Sequence, residues 1–382
     1  MRIRTVELAI EVITAANRGT PADQVLRERL RVEKALSREE GSEVSRAVFA
    51  FYRWQGWLDE RERLQERIDQ ALELAGRFAR DPGAFSDEEM LAHAAPGWVK
   101  GQMETSAAWA RSLQAEPVLW LRARQGQGEE LARRLGECRA FGAGPLADVL
   151  EYQGHNDLFR TQDFHAGDFE LQDISSQAVG LVCGPKAGET WWDACAGEGG
   201  KATHFSDLMG NKGLIWASDR AAWRLDKFKR RAARARVFNY RLALWDGGPK
   251  LPTKTRFDGV LLDAPCSGIG TWQRNPHARW TTTAVDVAEL AKLQGELLTR
   301  AAHAVKPGGR LIYAVCTLAW AETLGVVAAL ETACPEFERL PVANPLDPGS
   351  PAQAELFLRP EQWRGNGMFV AAWRRKAAAA TA

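Results

Sequence analysis

The sequence predicts an α/β protein in which a doubly wound, mostly parallel sheet follows a small α/β unit and an all-helical N-terminal region. Three observations carry this. From Glu189 onward, short apolar runs ending in Asp, Gly or Cys alternate with helical stretches, the rhythm of a parallel sheet. Near Glu116 the texture is a shorter strand, helix, strand pattern. Before that, apolar residues recur at helical spacing among dense charge.

Taken in order, "VELAIEVITAA" sets Val6, Ile10, Val12 and Ile13 near one helix face, and "VSRAVFAFYRWQGWLDERERLQERIDQALELAGRFA" continues the pattern. Its Arg and Glu residues read as a solvated helix surface. "RDPGAFSDEE" is a loop followed by a capping box at Ser86. "PVLWLRAR" reads as a strand, "GEELARRLGECRAFG" as a helix, "PLADVLEY" as a returning strand, and "QDISSQAVGLVCG" as a helix. Five strands follow, in "TWWDACAGEGGK", "GLIWASD", "ARVFNYRLALWD", "FDGVLLDAPC" and "GGRLIYAVC", with helices such as "DVAELAKLQGELLTRAAHAV" between them. The boundaries expected are 1–112 for the helical region, 113–167 for the small α/β unit, 168–376 for the main sheet, and 377–382 for a disordered tail. There is no internal repeat.

Composition sets limits. Of 382 residues, 45% are hydrophobic and the net charge is +1. Real cores are therefore expected, and any basic surface must be local. The N-terminus lacks a signal-peptide core, and no apolar run is long enough to span a membrane. The six cysteines form no C-x-x-C pair, and the six histidines are scattered. This argues for reduced thiols in the cytoplasm and against a disulfide framework or a metal site.

Asp193, Asp219, Asp246, Asp263 and Cys316 fall at strand ends, where ligands bind on doubly wound sheets. The small residues of "DACAGEGGK" let a ligand approach the backbone closely. That turn is neither G-x-G-x-x-G nor a Walker loop. Asp219 ends the second strand, where a carboxylate accepts hydrogen bonds from both ribose hydroxyls; its alternative role is a helix N-cap. Several acids around one site suit a cationic ligand such as a sulfonium.

Two cysteines sit at strand ends, Cys266 in "DAPCSGIG" and Cys316 in "LIYAVCT". Carbon 5 of cytosine is too electron-poor to take a methyl group directly. A thiolate added at carbon 6 makes an enamine whose carbon 5 is nucleophilic. A carboxyl group at ring nitrogen 3, such as Asp263, stabilises the charge that develops. The proton on carbon 5 must then leave and the thiol be expelled. Ordinary buried cysteines are the bland alternative.

"DACAGEGGK", "LLDAPCSGIG", "RNPHARW", "LIYAVCTL" and "LQDISSQAV" resemble the Nop/Sun (RsmB-like) family of RNA cytosine-5 methyltransferases over about residues 116–375. The resemblance implies a Rossmann-like, S-adenosylmethionine-dependent catalytic domain, with Cys316 as the covalent nucleophile and Cys266 as the residue that helps release product. It implies cofactor contacts from Cys195, Ala196, Gly197, Glu198, Gly199, Gly200, Lys201, Asp219, Arg224, Asp246 and Asp263. It also implies an RRM-like small unit and a NusB-like helical region, and hence ribosomal RNA ahead of transfer RNA. The chain departs from the family pattern at Glu198, Val315, His277, Thr323, Leu324, Asn366 and Ala123-Arg124. DNA cytosine methyltransferases also carry a Pro-Cys motif, but there the Pro-Cys thiol attacks and no second thiol is needed.

For RNA, the helix "WRLDKFKRRAARAR" places Arg224, Lys227, Arg231 and Arg234 on one face and Leu225, Phe228, Ala232 and Ala235 on its packing face. "TWQRNPHARW" mixes Arg274 and Arg279 with Trp272 and Trp280, planes on which an unpaired base stacks. The expected partner is RNA, with the chain a monomer. The rival reading, prompted by Glu198 and Val315, is a non-catalytic RNA-binding assembly factor that keeps the fold.

Overall fold

A computed structural model describes residues 3–33 and 35–377, so the tail expected at 377–382 lies, but for its first residue, outside the described residues. Two compact units divide the chain: residues 1–117 with 268–286, and residues 118–267 with 287–382.

The first unit is helical, with helices at Ile3–Ala15, Ala22–Val32, Arg38–Trp54, Leu64–Arg80, Asp87–His93 and Ala107–Gln114. Ser37 begins one with a complete capping box: its hydroxyl accepts from the Glu40 amide while Glu40 accepts from the Ser37 amide. At Ser86 only half the expected box forms. The Glu89 amide donates to Ser86 Oγ, but the Glu89 carboxylate instead accepts from Trp57 Nε1 at 2.9 Å. Trp54, fully buried, gathers Phe78 and Phe85 into an aromatic core with ring centroids 5.6 and 5.1 Å away.

The segment 268–286 is separated from this unit in sequence but packs within it. The reason is Arg279, which is fully buried. Its guanidinium donates to the carbonyls of Arg53 (3.2 Å), Ala94 (2.8 Å) and Leu113 (2.9 Å). These carbonyls lie at the C-terminal ends of three of the helices named above. Such ends carry unsatisfied carbonyls and partial negative charge, so one planar cation serves three helices. Burial pulls its pKa down to about 9, which leaves it charged at neutral pH. Trp280 Nε1 donates to the Tyr52 carbonyl at 2.7 Å, and His277 packs edge-on against Tyr52. Trp272 is fully buried.

The second unit opens with β1 (Leu119–Ala123), β2 (Cys138–Ala140), β3 (Val149–Tyr152) and β4 (Phe169–Leu171), ordered β2-β3-β1-β4. Helices Gly128–Leu135 and Gln162–Ala166 complete a β-α-β-β-α-β unit, the split βαβ topology. The tail of the stretch read as one helix, "ECRA", is strand β2, because Gly136 at positive φ ends the helix. The small sheet runs on to Leu171, since β4 pairs with β1. Leu121, Leu131, Leu150 and Phe169 form its core.

The main sheet contains β5 (Thr190–Asp193), β6 (Leu214–Asp219), β7 (Tyr240–Leu244), β8 (Phe257–Asp263), β9 (Val305–Val315), β10 (Phe337–Leu340), β11 (Glu355–Leu358) and β12 (Met368–Arg375). Its order is β10-β12-β9-β8-β5-β6-β7, with β11 paired to β12. Strands β5 to β9 are mutually parallel, and β12 runs antiparallel to β9. Alternate residues serve opposite faces: Leu261, Ile312 and Ala314 enter one core, and Val260, Leu262, Leu311 and Tyr313 the other. Each large side chain buried this way contributes roughly 2–3 kcal/mol. The chain leaves β5 toward β6 and returns to β8 on its other side, so the switch point lies between the ends of β5 and β8.

Candidate active site

The ends of β5, β6, β8 and β9 and the segment after β7 enclose a cavity of about 460 Å³. Its lining includes Gly197, Glu198, Asp219, Arg224, Trp245, Asp246, Asp263, Cys266 and Cys316.

At the β5 end the chain turns on Gly197 and Gly199, both at positive φ (55° and 84°). A Cβ at Gly199 would meet the Phe228 ring at 2.0 Å, so glycine is required there by sterics as well as by φ. Asp219 accepts from the Gly197 amide (3.1 Å) and the Ala221 amide (2.8 Å) and lies on the cavity wall; the helix Ala222–Arg234 starts from Ala221, so Asp219 is not its N-cap. Asp193 is 1% exposed, and burial pushes its carboxyl up to about 8, with the nearby Asp263 charge adding to the rise. Burial also drives the Cys195 thiol far above its ordinary range.

At the β8 and β9 ends the thiols meet. Cys266 Sγ lies 3.2 Å from Cys316 Sγ, without a disulfide. The pairing of Asp263 with Ala314 sets the two loops level. Lys201 Nζ donates to Asp263 Oδ2 at 2.6 Å. Burial would lower the Lys201 pKa, but Asp263, with smaller contributions from Asp193 and Cys316, holds the lysine above its usual value. Behind the thiols, Glu322 is fully buried and accepts from Ser267, Thr317 and Gln294.

A family model described as 16S rRNA methyltransferase RsmB/F matches residues 181–374. The probable ribosomal RNA small subunit methyltransferase B of Bacillus subtilis is 33% identical over 56% of this chain and 50% of its own. The ribosomal RNA small subunit methyltransferase B of Sodalis glossinidius is 31% identical over 76% of this chain and 69% of its own. The chain belongs to the RsmB/F family. The match to the Synechocystis relative, 43% identical, spans only 36% of that protein's length. In fold, the chain resembles the crystal structure of PH0851 (TM-score 0.80, 23% identical, 98% of this chain and 99% of that one). It also resembles that of NSun6 from Pyrococcus horikoshii (TM-score 0.61, 21% identical, 70% and 93%).

Within this RsmB/F chain the residues expected at the cofactor divide. Cys195, Ala196, Gly197, Glu198, Asp219, Arg224, Asp246 and Asp263 line the cavity. Gly199 and Gly200 lie behind its lining, and Lys201 spends its ammonium on Asp263 rather than facing the cavity. The residues expected at RNA divide more sharply. Arg279 is corrected: it is fully buried and its guanidinium is committed to carbonyls inside the helical unit, while Trp280, half-buried, donates its Nε1 hydrogen to the Tyr52 carbonyl of the same unit. Arg231 and Arg234 pair with the buried Glu170, and Arg234 also stacks on Phe164, so the expected phosphate stripe loses two members. Lys227 bonds Glu198 at 2.6 Å and lies over the exposed Trp223 ring. Arg274 is half-buried. The sequence reading missed Trp245, Leu293 and Leu297 on the wall, and Gln294 and Glu322 behind the thiols. Trp245, beside Asp246 at a strand end, carried a readable signal; the others lie on helices or loops whose return to the site is not periodic.

No helix among the described residues is long and apolar enough to cross a membrane.

Proposed function

We propose that the protein transfers a methyl group from S-adenosylmethionine to carbon 5 of a cytidine in RNA, ribosomal ahead of transfer RNA. The observation that carries this is the 3.2 Å contact between Cys266 and Cys316 at the rim of an acid-lined cavity. Two thiols that close can act on one pyrimidine ring in succession. A methyltransferase acting on proteins or small molecules has no use for the second.

The cavity suits the cofactor. Glycine backbone at positive φ leaves room on one wall, and Asp219, Asp246 and Asp263 suit a sulfonium cation. When bound, S-adenosylmethionine supplies the electrophilic methyl that carbon 5 captures. The protein's own groups then divide the work. Cys316, in the position the family pattern gives the nucleophile, adds through Sγ to carbon 6, and the electrons of the carbon 5–carbon 6 double bond shift toward carbon 5. Asp263, with one oxygen fixed by Lys201, holds the ring at nitrogen 3 through a proton carried on its other oxygen, which it donates to the nitrogen lone pair as negative charge develops there. The carbon 5 proton passes to Cys266 Sγ, the double bond re-forms from the C–H electrons, and Cys316 leaves as thiolate. To reach these groups the base must leave its stack. Beside the cavity, Arg224 and Lys227 flank the exposed Trp223, a surface on which neighbouring nucleotides stack.

The test is bisulfite sequencing of RNA from cells with and without the gene. A cytidine protected only when the gene is present is the expected result. No difference, together with no S-adenosylmethionine binding by calorimetry, would favour the non-catalytic assembly factor.

A further inference from the structure

The two thiols sit on separate loops, and the loops do not hold each other by backbone pairing beyond Ala264, whose amide donates to Ala314. What joins them is a carboxylate. Glu322 Oε1 accepts from the Ser267 amide at 2.8 Å and from Gln294 Nε2 at 2.9 Å. Its Oε2 accepts from Thr317 Oγ1 at 3.1 Å and from the Ser267 hydroxyl. Ser267 directly follows Cys266, and Thr317 directly follows Cys316. The two hydroxyls also touch each other, at 3.0 Å.

The network closes around the Pro-Cys loop from its other side. Gln294 Nε2 donates to the Pro265 carbonyl at 2.8 Å as well as to Glu322. The single hydroxyl proton of Tyr313 is shared between the Glu322 carbonyl, 2.7 Å away, and Gln294 Oε1, 2.9 Å away. Glu322 is fully buried, and these four donors are neutral. Burial raises its pKa while the hydrogen bonds from Ser267, Gln294 and Thr317 pull it back. A buried carboxyl without a cationic partner is costly. The cost is met by an arrangement that only an acceptor of four donors completes, since an amide offers one oxygen and adds donors of its own.

We infer that Glu322 is the positioning residue of the thiol pair: its carboxylate fixes the residue after each cysteine and so sets Cys266 and Cys316 side by side. This rests on the proposed function, in which both thiols serve one ring. Misplacing a reacting group by about 1 Å costs on the order of 10²-fold. Glu322 touches neither thiol in this network and acts through Ser267 and Thr317.

The test compares the full chain with Glu322→Gln, close to isosteric, and Glu322→Ala. Two readouts are taken on each. The first is methyl transfer to RNA, for which kcat is expected to fall ~10²-fold with both KM values within about threefold. The second needs no RNA or cofactor. Diamide accepts two electrons and two protons from the thiols, its N=N bond becoming a hydrazine as the Cys266–Cys316 disulfide forms. Peptide mass mapping times that bond, which is expected at least ~10-fold slower in Glu322→Gln. A role in stability alone would lower the melting temperature without slowing this coupling. Glu322→Gln thiols that couple at the wild-type rate would overturn the inference, whatever the activity. A wild-type chain that does not methylate RNA, yet couples its thiols faster than Glu322→Gln, would refute the proposed function and uphold the positioning role.

Discussion

The ends of β5 and β6 and the ends of β8 and β9 lie in one sheet, yet they are built differently. At the first pair, glycine backbone at positive φ makes the room, and Asp193 is buried with its carboxyl pushed up by that burial. At the second, every polar group behind the thiols is tied, through Ser267, Thr317, Gln294 and Tyr313, to Glu322. The difference teaches what each end needs. A cofactor site needs an open, charged concavity that a ligand fills. A thiol pair needs its geometry fixed before the substrate arrives.

Substitutions at each end should separate these two kinds of construction. The largest effect is expected at the thiol end. Cys266→Ala should cut turnover by at least ~10²-fold and leave a covalent protein–RNA adduct that shifts on a denaturing gel. Absence of the shifted band would remove Cys266 from product release. At the cofactor end, Gly199→Ala forces a left-handed backbone on a residue whose Cβ strikes Phe228. It should weaken S-adenosylmethionine binding by roughly 10–100-fold in calorimetry, matching about 1–3 kcal/mol of strain. Affinity unchanged from wild type would show that the loop adapts.

A smaller effect concerns pH. The Asp193 carboxyl is raised from 3.8 to about 8 in the folded chain. Between these values the folded state holds a proton that the unfolded state has lost, so stability falls as pH rises through the window. Asp193→Asn should therefore gain at least ~1 kcal/mol on wild type between pH 5 and pH 8 in urea unfolding. Equal gains at both pH values would contradict the shift. The smallest effect is expected at Lys227, whose ion pair with Glu198 is half-exposed. Lys227→Ala should change stability by less than ~1 kcal/mol and weaken RNA binding in a salt-dependent way, read by titration at two ionic strengths.

What the sequence made legible follows physical range. The central parallel strands β5, β6, β8 and β9 were readable because largely buried strands are continuous apolar runs, and Asp219, Asp263, Cys266 and Cys316 were readable because they end such runs. β2 and β4, of three residues each, are too short to show a period. β10 and β11, at the far antiparallel side, were missed for a similar reason. Charge was the least reliable guide. Arg279 and Arg234 look alike in sequence, but one caps three helix ends inside a core and the other pairs with a buried glutamate. Which cation faces solvent depends on helix termini and acids far away in the chain. The role of Glu322 was hidden likewise, since Ser267 lies 55 residues away.

The most direct test of the two-thiol account is to incubate the protein with S-adenosylmethionine and RNA containing 5-fluorocytidine, whose carbon 5 has no proton to lose, and to map the trapped adduct by mass spectrometry. The account predicts the modified nucleotide on the peptide bearing Cys316, with Cys266 unmodified. An adduct on Cys266, or none on either thiol while methylation of ordinary RNA proceeds, would contradict it.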